Sequence, residues 1–348
     1  MSARPRSERT LSQRELNRAL LARQMLLERA AVSLPRALER MGGLQAQYAP
    51  SMYIGLWTRV RAIERDGVTR ALERRLVVQG TLMRDTIHLV ARRDYWPFAV
   101  AVRRSRRDWW ARAASVDPKA MEAAAERLRA RLRDGPVRRA ELEAIVGKGM
   151  VIGIGMWVDM VRVPPSGTWE RRRADLVGSA EQWVGPQTVT SEEDAVDHLV
   201  RRYLAAFGPA SPKDVADFTR IRPATLAASL DRLDARRFRD ERGGLLLDVQ
   251  RAPLPDPATP APVRFLPTWD ATLLVHARRT GILPERYRPM VFHTKNPQSV
   301  STFLVDGAVA GTWRFERDRV VVEPFERLPR AVSREAREEA ERLAALHR

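Results

Sequence analysis

The 348-residue chain contains no cysteine. That excludes disulfides, thiolate-bound zinc, iron–sulfur clusters and thiol nucleophiles together. Lysine is almost as scarce, present only as Lys119, Lys148, Lys213 and Lys295. The histidines, His88, His198, His276, His293 and His347, are scattered and show no HExxH-like pairing, so no catalytic metal and no cofactor are expected. The longest apolar stretch, Gly149 to Val161, is too short to span a bilayer and carries Asp159. The N-terminal MSARPRSERTLSQRE is basic without an apolar core, so it reads as a solvated arm rather than a secretory signal. A cytoplasmic protein with no membrane partner is the expectation.

What the chain has in excess is arginine. Lys+Arg number 61 against 43 Asp+Glu, a formal net charge of +18 carried almost wholly by guanidinium groups. Such an excess favours a polyanionic partner, because each neutralised phosphate releases condensed counterions. Codon bias toward arginine explains the composition equally well, but not its distribution. Arg103, Arg104, Arg106, Arg107 and Arg112 form one basic stripe, the run from Arg127 to Arg139 another, and Arg171, Arg172 and Arg173 a third. The segment from Arg334 to Glu341 is instead charge-balanced. Local stripes separated by neutral stretches favour nucleic acid.

The periodicity predicts a repeated layout. Apolar residues from Leu16 to Leu27 recur near helical spacing behind a Ser12 cap, a second helix starts at Pro35 and stops at Gly42-Gly43, and a third follows Pro50. A short helix at 68–75 precedes two β-rich segments, 76–83 and 86–90. Helices followed by a two-stranded ribbon are the layout of a winged helix. The same order recurs with helices expected at 92–112, 119–133, 138–147 and 150–162, then a Pro164-Pro165-Ser166-Gly167 turn leading into a basic wing. A third round opens on the capping-box pattern Thr190-Ser191-Glu192-Glu193, continues through helices at 212–218 and 223–234, and ends in a wing from Phe238 to Val249. The proline-rich 251–263 reads as a strap or linker. Beyond it come strands with an Asp306-Gly307 hairpin turn and a closing helix at 332–346. The expected fold is therefore mainly α with small β. Its divisions are 10–95, 96–188, 189–250 and 251–348.

Conventional catalytic searches return little. There is no GxSxG elbow, Walker loop or dinucleotide fingerprint in its βαβ setting. One segment stands apart: Gly42-Gly43-Leu44-Gln45-Ala46-Gln47-Tyr48-Ala49-Pro50. Two glutamines two apart, between a helix-breaking Gly-Gly and a proline, lie where polar side chains can converge on a cleft. Taken alone, a surface or capping role fits them as well.

The blocks GGLQAQYAPSMYIGLWTRV, GTLMRDTIHLVARRDYW, YLAAFGPASPKDVADF, FLPTWDATLLVH and FLVDGAVAGTWR occur in this order. Together they resemble the AlkZ/YcaQ family of winged-helix DNA glycosylases, over roughly Leu16 to Phe325. The resemblance implies three tandem winged helices in a C shape with a β-rich C-terminal domain. It also implies a catalytic Gln–apolar–Gln signature, which carries onto Gln45 and Gln47, with Ala46 as a small middle residue. The implied partner is double-stranded DNA bearing alkylated purines, bulky and crosslinked adducts included, and the implied setting is base excision repair.

Two neutral amides suit that chemistry for a physical reason. Breaking an N-glycosidic bond develops positive charge on the sugar. A glutamine oxygen can hold the attacking water and turn its dipole toward that charge, each well-placed group contributing about 3 kcal/mol. That is too little for a normal purine, but an N7- or N3-alkylated purine is already cationic and leaves as a neutral base. A monofunctional enzyme leaving abasic sites is expected, working as a monomer on nucleoid DNA. Tyr48 and Trp57 are candidates to line the cleft, with a core role open to both. Arg84 and His88 lie on the first wing, and His88 suits either DNA contact or a satisfied structural histidine. Arg171, Arg172 and Arg173 on the second wing suit phosphates or plain solvent, and Trp109-Trp110 is expected in a helix–helix core. The rival reading is a non-catalytic winged-helix regulator binding as a dimer.

Overall fold

The computed structural model describes residues 8–173, 175–189, 191–276, 281–292 and 299–348. Thr190, at the head of the expected third unit, His293 and the first seven residues lie outside them. The chain opens with strand β1 (Arg9–Leu11) and helix α1 (Gln13–Arg23), then α2 (Leu34–Met41), β2 (Leu44–Gln45), α3 (Ala49–Trp57), α4 (Arg65–Glu73), β3 (Val77–Thr81) and β4 (Ile87–Ala91). Ser12 and Glu15 close a full capping box at the start of α1. That helix stops at Arg23, short of the expected Arg29, because Met25 adopts a left-handed φ of 56°.

The second stretch comprises α5 (Arg92–Ala113), α6 (Pro118–Leu132), β5 (Val137–Arg138), α7 (Arg139–Val146), β6 (Met160–Arg162), β7 (Leu176–Ser179) and α8 (Ala180–Val184). The helix expected over 150–162 does not form. Turns, one 3-10 turn at Ile154–Met156 and β6 occupy that span. Gly153 there serves close approach: a Cβ on it would lie 2.1 Å from Trp110 Nε1. Trp109 also departs from expectation, standing 41% exposed rather than in a core.

The third stretch runs α9 (Glu192–Phe207), α10 (Pro212–Thr219), α11 (Pro223–Arg232), β8 (Arg236–Asp240) and β9 (Leu245–Asp248). Ser191 caps α9 through Asp194, and Ser211 with Asp214 forms a capping box on α10. The remainder holds β10 (Arg264–Leu266), α12 (Arg288–Val291), β11 (Thr302–Val305), β12 (Ala308–Glu316), β13 (Arg319–Pro324) and α13 (Arg330–His347).

Three open sheets organise these elements into a mixed α+β fold. Strands β2-β4-β3-β6-β7-β5 form one six-stranded sheet, so the ribbons of the first and second stretches join edge to edge. The β1 strand pairs in parallel with β8 of the third ribbon, and β10 to β13 form an antiparallel meander. Buried ion pairs fasten the stretches to one another. Arg59 and Asp270 meet at 2.7 Å with both side chains fully buried, and Arg23 meets Asp248 likewise at 2.7 Å. Asp94 accepts from His198 at 2.8 Å and from Arg202 at 2.9 Å, tying α5 to α9.

Candidate functional site

The glutamine segment is built by what surrounds it. Helix α2 ends on Gly42 in the left-handed region, and Gly43 follows with a φ of 87°. A Cβ on Gly43 would lie 3.0 Å from Val90 Cγ1 and 3.2 Å from the Leu89 carbonyl oxygen. Only glycine therefore lets the chain turn so tightly against β4. Past that turn the backbone is extended. Gln45 pairs with His88 across β2 and β4, and the Ala46 N–H donates to the Ile87 carbonyl at 2.7 Å. In extended chain alternate residues share a face. Leu44 and Ala46 go into the core; Gln45 is itself buried at 9% exposure, on the sheet face it shares with His88, and Gln47 lies exposed in the bend that follows. Pro50 then sits in the first turn of α3, and Ser51 Oγ meets Thr268 Oγ1 at 2.8 Å, which fixes this helix against the segment after β10.

The two amides are held differently. Gln47 Oε1 accepts a hydrogen bond from the Ile87 backbone N–H at 3.2 Å. Only an oxygen can accept there, so the Gln47 NH2 group faces away from β4. Among the described residues the Gln45 side chain, 9% exposed, makes no hydrogen bond. Between them, the Ala46 carbonyl accepts from Arg162 Nη1 at 3.0 Å. Arg162 reaches the motif from the end of β6. The expectation of a helix through 162 hid this residue, because it concealed the register of β6 against β3.

Of the other candidates, Tyr48 and Arg172 are brought to the glutamines. Tyr48 is 45% exposed, and its hydroxyl accepts from Arg172 Nη1 at 3.1 Å. Arg172 also lies over the Trp169 ring, its guanidinium carbon 5.7 Å from the centroid. Arg171 and Arg173 are exposed on the same loop between β6 and β7. Gly167 lets that loop turn, with a φ of 72° and its N–H donating to the Arg171 carbonyl at 2.9 Å.

Trp57, Arg84 and His88 are placed otherwise. Trp57 ends α3, and eight residues of helical rise separate it from Ala49 by about 12 Å. It stacks under Arg29 at 4.4 Å instead of lining the glutamine face. Arg84, on the turn between β3 and β4, donates to the Leu274 carbonyl at 3.2 Å and lies over Phe218 of α10. His88 is 2% exposed, its Nδ1 lies 3.1 Å from the Thr86 carbonyl and its ring is edge-on to Phe218. Burial pulls its pKa down to about 4, so the ring is neutral and Nδ1–H is the donor. It lies beside Gln45 on the same sheet face, as its cross-strand partner, and offers no charge to DNA.

Among the described residues no three histidine or carboxylate side chains cluster as a metal site, and no helix is long and apolar enough to cross a membrane. The arrangement sets one amide held at its oxygen, and one with no hydrogen bond among the described residues, near an exposed aromatic ring and an arginine loop.

A family model described as DNA glycosylase AlkZ-like matches residues 38–346. No match is found among curated proteins. Among solved structures, the Streptomyces sahachiroi DNA glycosylase AlkZ shares this fold with a TM-score of 0.80 at 19% identity, the superposition covering 97% of each chain.

Proposed function

This chain belongs to the AlkZ-like family of DNA glycosylases, and from that premise we propose that it hydrolyses the N-glycosidic bond of cationic N7- and N3-alkylated purines, with Gln45 and Gln47 as its catalytic pair. Bulky adducts and interstrand crosslinks fall within the same chemistry, since what they share is a base that carries its own positive charge. The observation that carries the reading is the division of labour between the amides. The Gln47 dipole is fixed by the Ile87 N–H, while among the described residues the Gln45 amide has no hydrogen-bond partner.

The Gln47 oxygen is held by the Ile87 N–H, so Gln47 offers the water its NH2 donors, and the Gln45 oxygen is the amide end that can face the charge developing on the sugar. Gln45 Oε1 accepts from the attacking water and holds it in line with the anomeric carbon. Gln47, locked at its oxygen, fixes the other side of the water. Neither amide takes a full proton near neutral pH, so the leaving group must depart without a general acid. An alkylated purine meets that condition because cleavage makes it neutral. Uracil and unmodified bases do not. The product is an abasic site, and the working unit is residues 10–95 with the loop of Arg171, Arg172 and Arg173 laid beside it on the DNA. The protein acts as a monomer on nucleoid DNA in the cytoplasm.

The test is a duplex carrying one N7-methylguanine, incubated with the protein and then heated in alkali. Strand scission at that base is expected. Gln45→Ala and Gln47→Ala should each slow base release ten-fold or more, about 1.4 kcal/mol in the barrier, with duplex affinity nearly unchanged. Base release undiminished in both variants would remove the two glutamines from the mechanism.

A further inference from the structure

The buried arginines of this protein spend their donors on carboxylates or, at Arg264, on three carbonyls, those of Leu26, Leu27 and Val263. Arg59 pairs with Asp270, Arg23 with Asp248, and Arg106 with Asp85 at 2.9 Å. Arg162 breaks the pattern. Among the described residues its hydrogen bond is from Nη1 to the Ala46 carbonyl, and no acidic group is paired with it. Burial, unopposed by any nearby negative charge, draws its pKa down to about 10, so it stays charged at neutral pH. A half-buried cation without a counter-charge is costly to the free protein.

The stem of this arginine is walled in. Gln79 on β3 is opposite Arg162 in the register of β3 and β6, and its Nε2 donates to the Gly167 carbonyl at 3.0 Å. A Cβ on Gly167 would lie 3.2 Å from Gln79 Oε1 and 3.3 Å from Arg162 Cδ. Glycine at 167 therefore leaves room for the stem, and the guanidinium is delivered to the backbone between the two glutamines. One of its donors is spent there, and a guanidinium has five.

We propose that Arg162 takes a phosphate of the lesion-bearing strand, so that the DNA itself supplies the counter-charge the protein lacks. This rests on the chain being a DNA-acting enzyme whose site is the glutamine face. A bare cation on the Ala46 carbonyl, in the backbone between Gln45 and Gln47, would oppose the positive charge that develops on the sugar. A phosphate closed onto Arg162 cancels that field just when the strand is in place. The backbone held by Arg162 and the phosphate held by Arg162 then fix the glutamines and the sugar to one guanidinium.

The test measures binding, independently of catalysis. Affinity for an undamaged duplex is followed between roughly 50 and 200 mM salt for the wild type, Arg162→Met and Arg162→Lys. Arg162→Met keeps the stem against Gly167 and removes the charge. Its slope of log affinity against log salt should fall by about 1, and Arg162→Lys should retain the wild-type slope. In parallel, single methylphosphonates are walked through the strand around an N7-methylguanine. One position should cost the wild type about ten-fold in affinity and cost Arg162→Met almost nothing. An unchanged slope together with lost base release would overturn the proposal, leaving Arg162 as a holder of the Ala46 carbonyl alone. A flat methylphosphonate scan in the wild type would overturn it too, whether or not Arg162→Met folds. Because the slope is read on undamaged DNA, failure to release methylated bases leaves this result separately readable.

Discussion

The Tyr48 hydroxyl accepts a hydrogen bond from Arg172 Nη1 at 3.1 Å, joining the residue after the glutamine motif to a loop 124 positions away in the chain. Both side chains are exposed, so the bond contributes little to folding. Its consequence is orientation: the ring of Tyr48 and the remaining donors of Arg172 face one side. Arg172→Ala should leave urea unfolding within about 0.5 kcal/mol of wild type while weakening duplex binding several-fold. Damaged and undamaged DNA should be affected alike, because a phosphate contact carries no base information. Tyr48→Phe, which keeps the ring, should weaken binding less. Fluorescence anisotropy on the two duplexes decides, and a loss confined to damaged DNA would contradict the phosphate role of Arg172.

Asp270 and Arg59 are both inaccessible, and the carboxylate also accepts from the Thr272 N–H and hydroxyl. Removing the carboxylate strands a buried guanidinium. Asp270→Ala should therefore destabilise the protein by about 3–5 kcal/mol. Replacing both partners, Arg59→Met with Asp270→Leu, should recover most of that loss, since the penalty is the unpaired charge and not the missing bond. Equal destabilisation in the single and double variants, measured by urea unfolding, would count against this account.

What could be read from the sequence was local. The Ser12 cap, the Gly42 stop and the Asp306-Gly307 turn are each set by residues a few positions apart, and each stands where the pattern puts it; the expected capping box at Thr190–Glu193 instead begins outside the described residues, with Ser191 as the cap of α9. The relations that make the site are not local. Gln45 faces His88 through strand register, Arg162 reaches Ala46 from the second ribbon, and Asp270 meets Arg59 across 211 positions. No spacing encodes those distances. The segment from Gly149 to Val158 misleads for a different reason: short apolar runs fit a helix or a turn-rich packing segment equally, and here Trp110 lies so close that Gly153 can carry no side chain. Trp57 misleads because a helix carries its two ends apart, so proximity in sequence to Gln47 is not proximity to the glutamine face. The glutamines themselves were visible as a motif, yet the hold of Ile87 on one and the freedom of the other belong to the fold.

Gly43 tests how tightly the motif's geometry depends on its turn. With a φ of 87° and a would-be Cβ at 3.0 Å from Val90 Cγ1, alanine is strained twice, by backbone and by contact. Gly43→Ala should lose about 1–3 kcal/mol in stability. It should also slow base release from an N7-methylguanine duplex more than it weakens binding, because the strain falls between Gly42 and Gln45. Gly67, a glycine of α4 with nothing within 4 Å of its would-be Cβ, is the control. Gly67→Ala should leave activity unchanged and raise stability slightly. A Gly43→Ala protein with wild-type stability and rate would mean that the turn does not position the glutamines.

His88 and His347 give the protein a defined acid sensitivity. Burial holds both imidazoles neutral, each with a pKa of about 4, His88 beside its cross-strand partner Gln45 and His347 stacked on Phe315 with Trp169 edge-on. In the unfolded chain each returns to about 6.5. Between those values the unfolded chain binds more protons than the folded one, so acid favours unfolding. The stabilisation is therefore complete above about pH 6.5 and is lost as the pH falls toward 4. For the fully buried His88 the whole loss is on the order of 3 kcal/mol; His347, partly exposed, contributes less. Urea unfolding at about pH 7.5 and about pH 5 should show wild-type stability dropping, with His88→Gln dropping less and His88→Gln with His347→Gln least. Stability that rises on acidification, or an equal drop in all three proteins, would assign the acid sensitivity to other groups and would leave a neutral His88 opposite Gln45 without support.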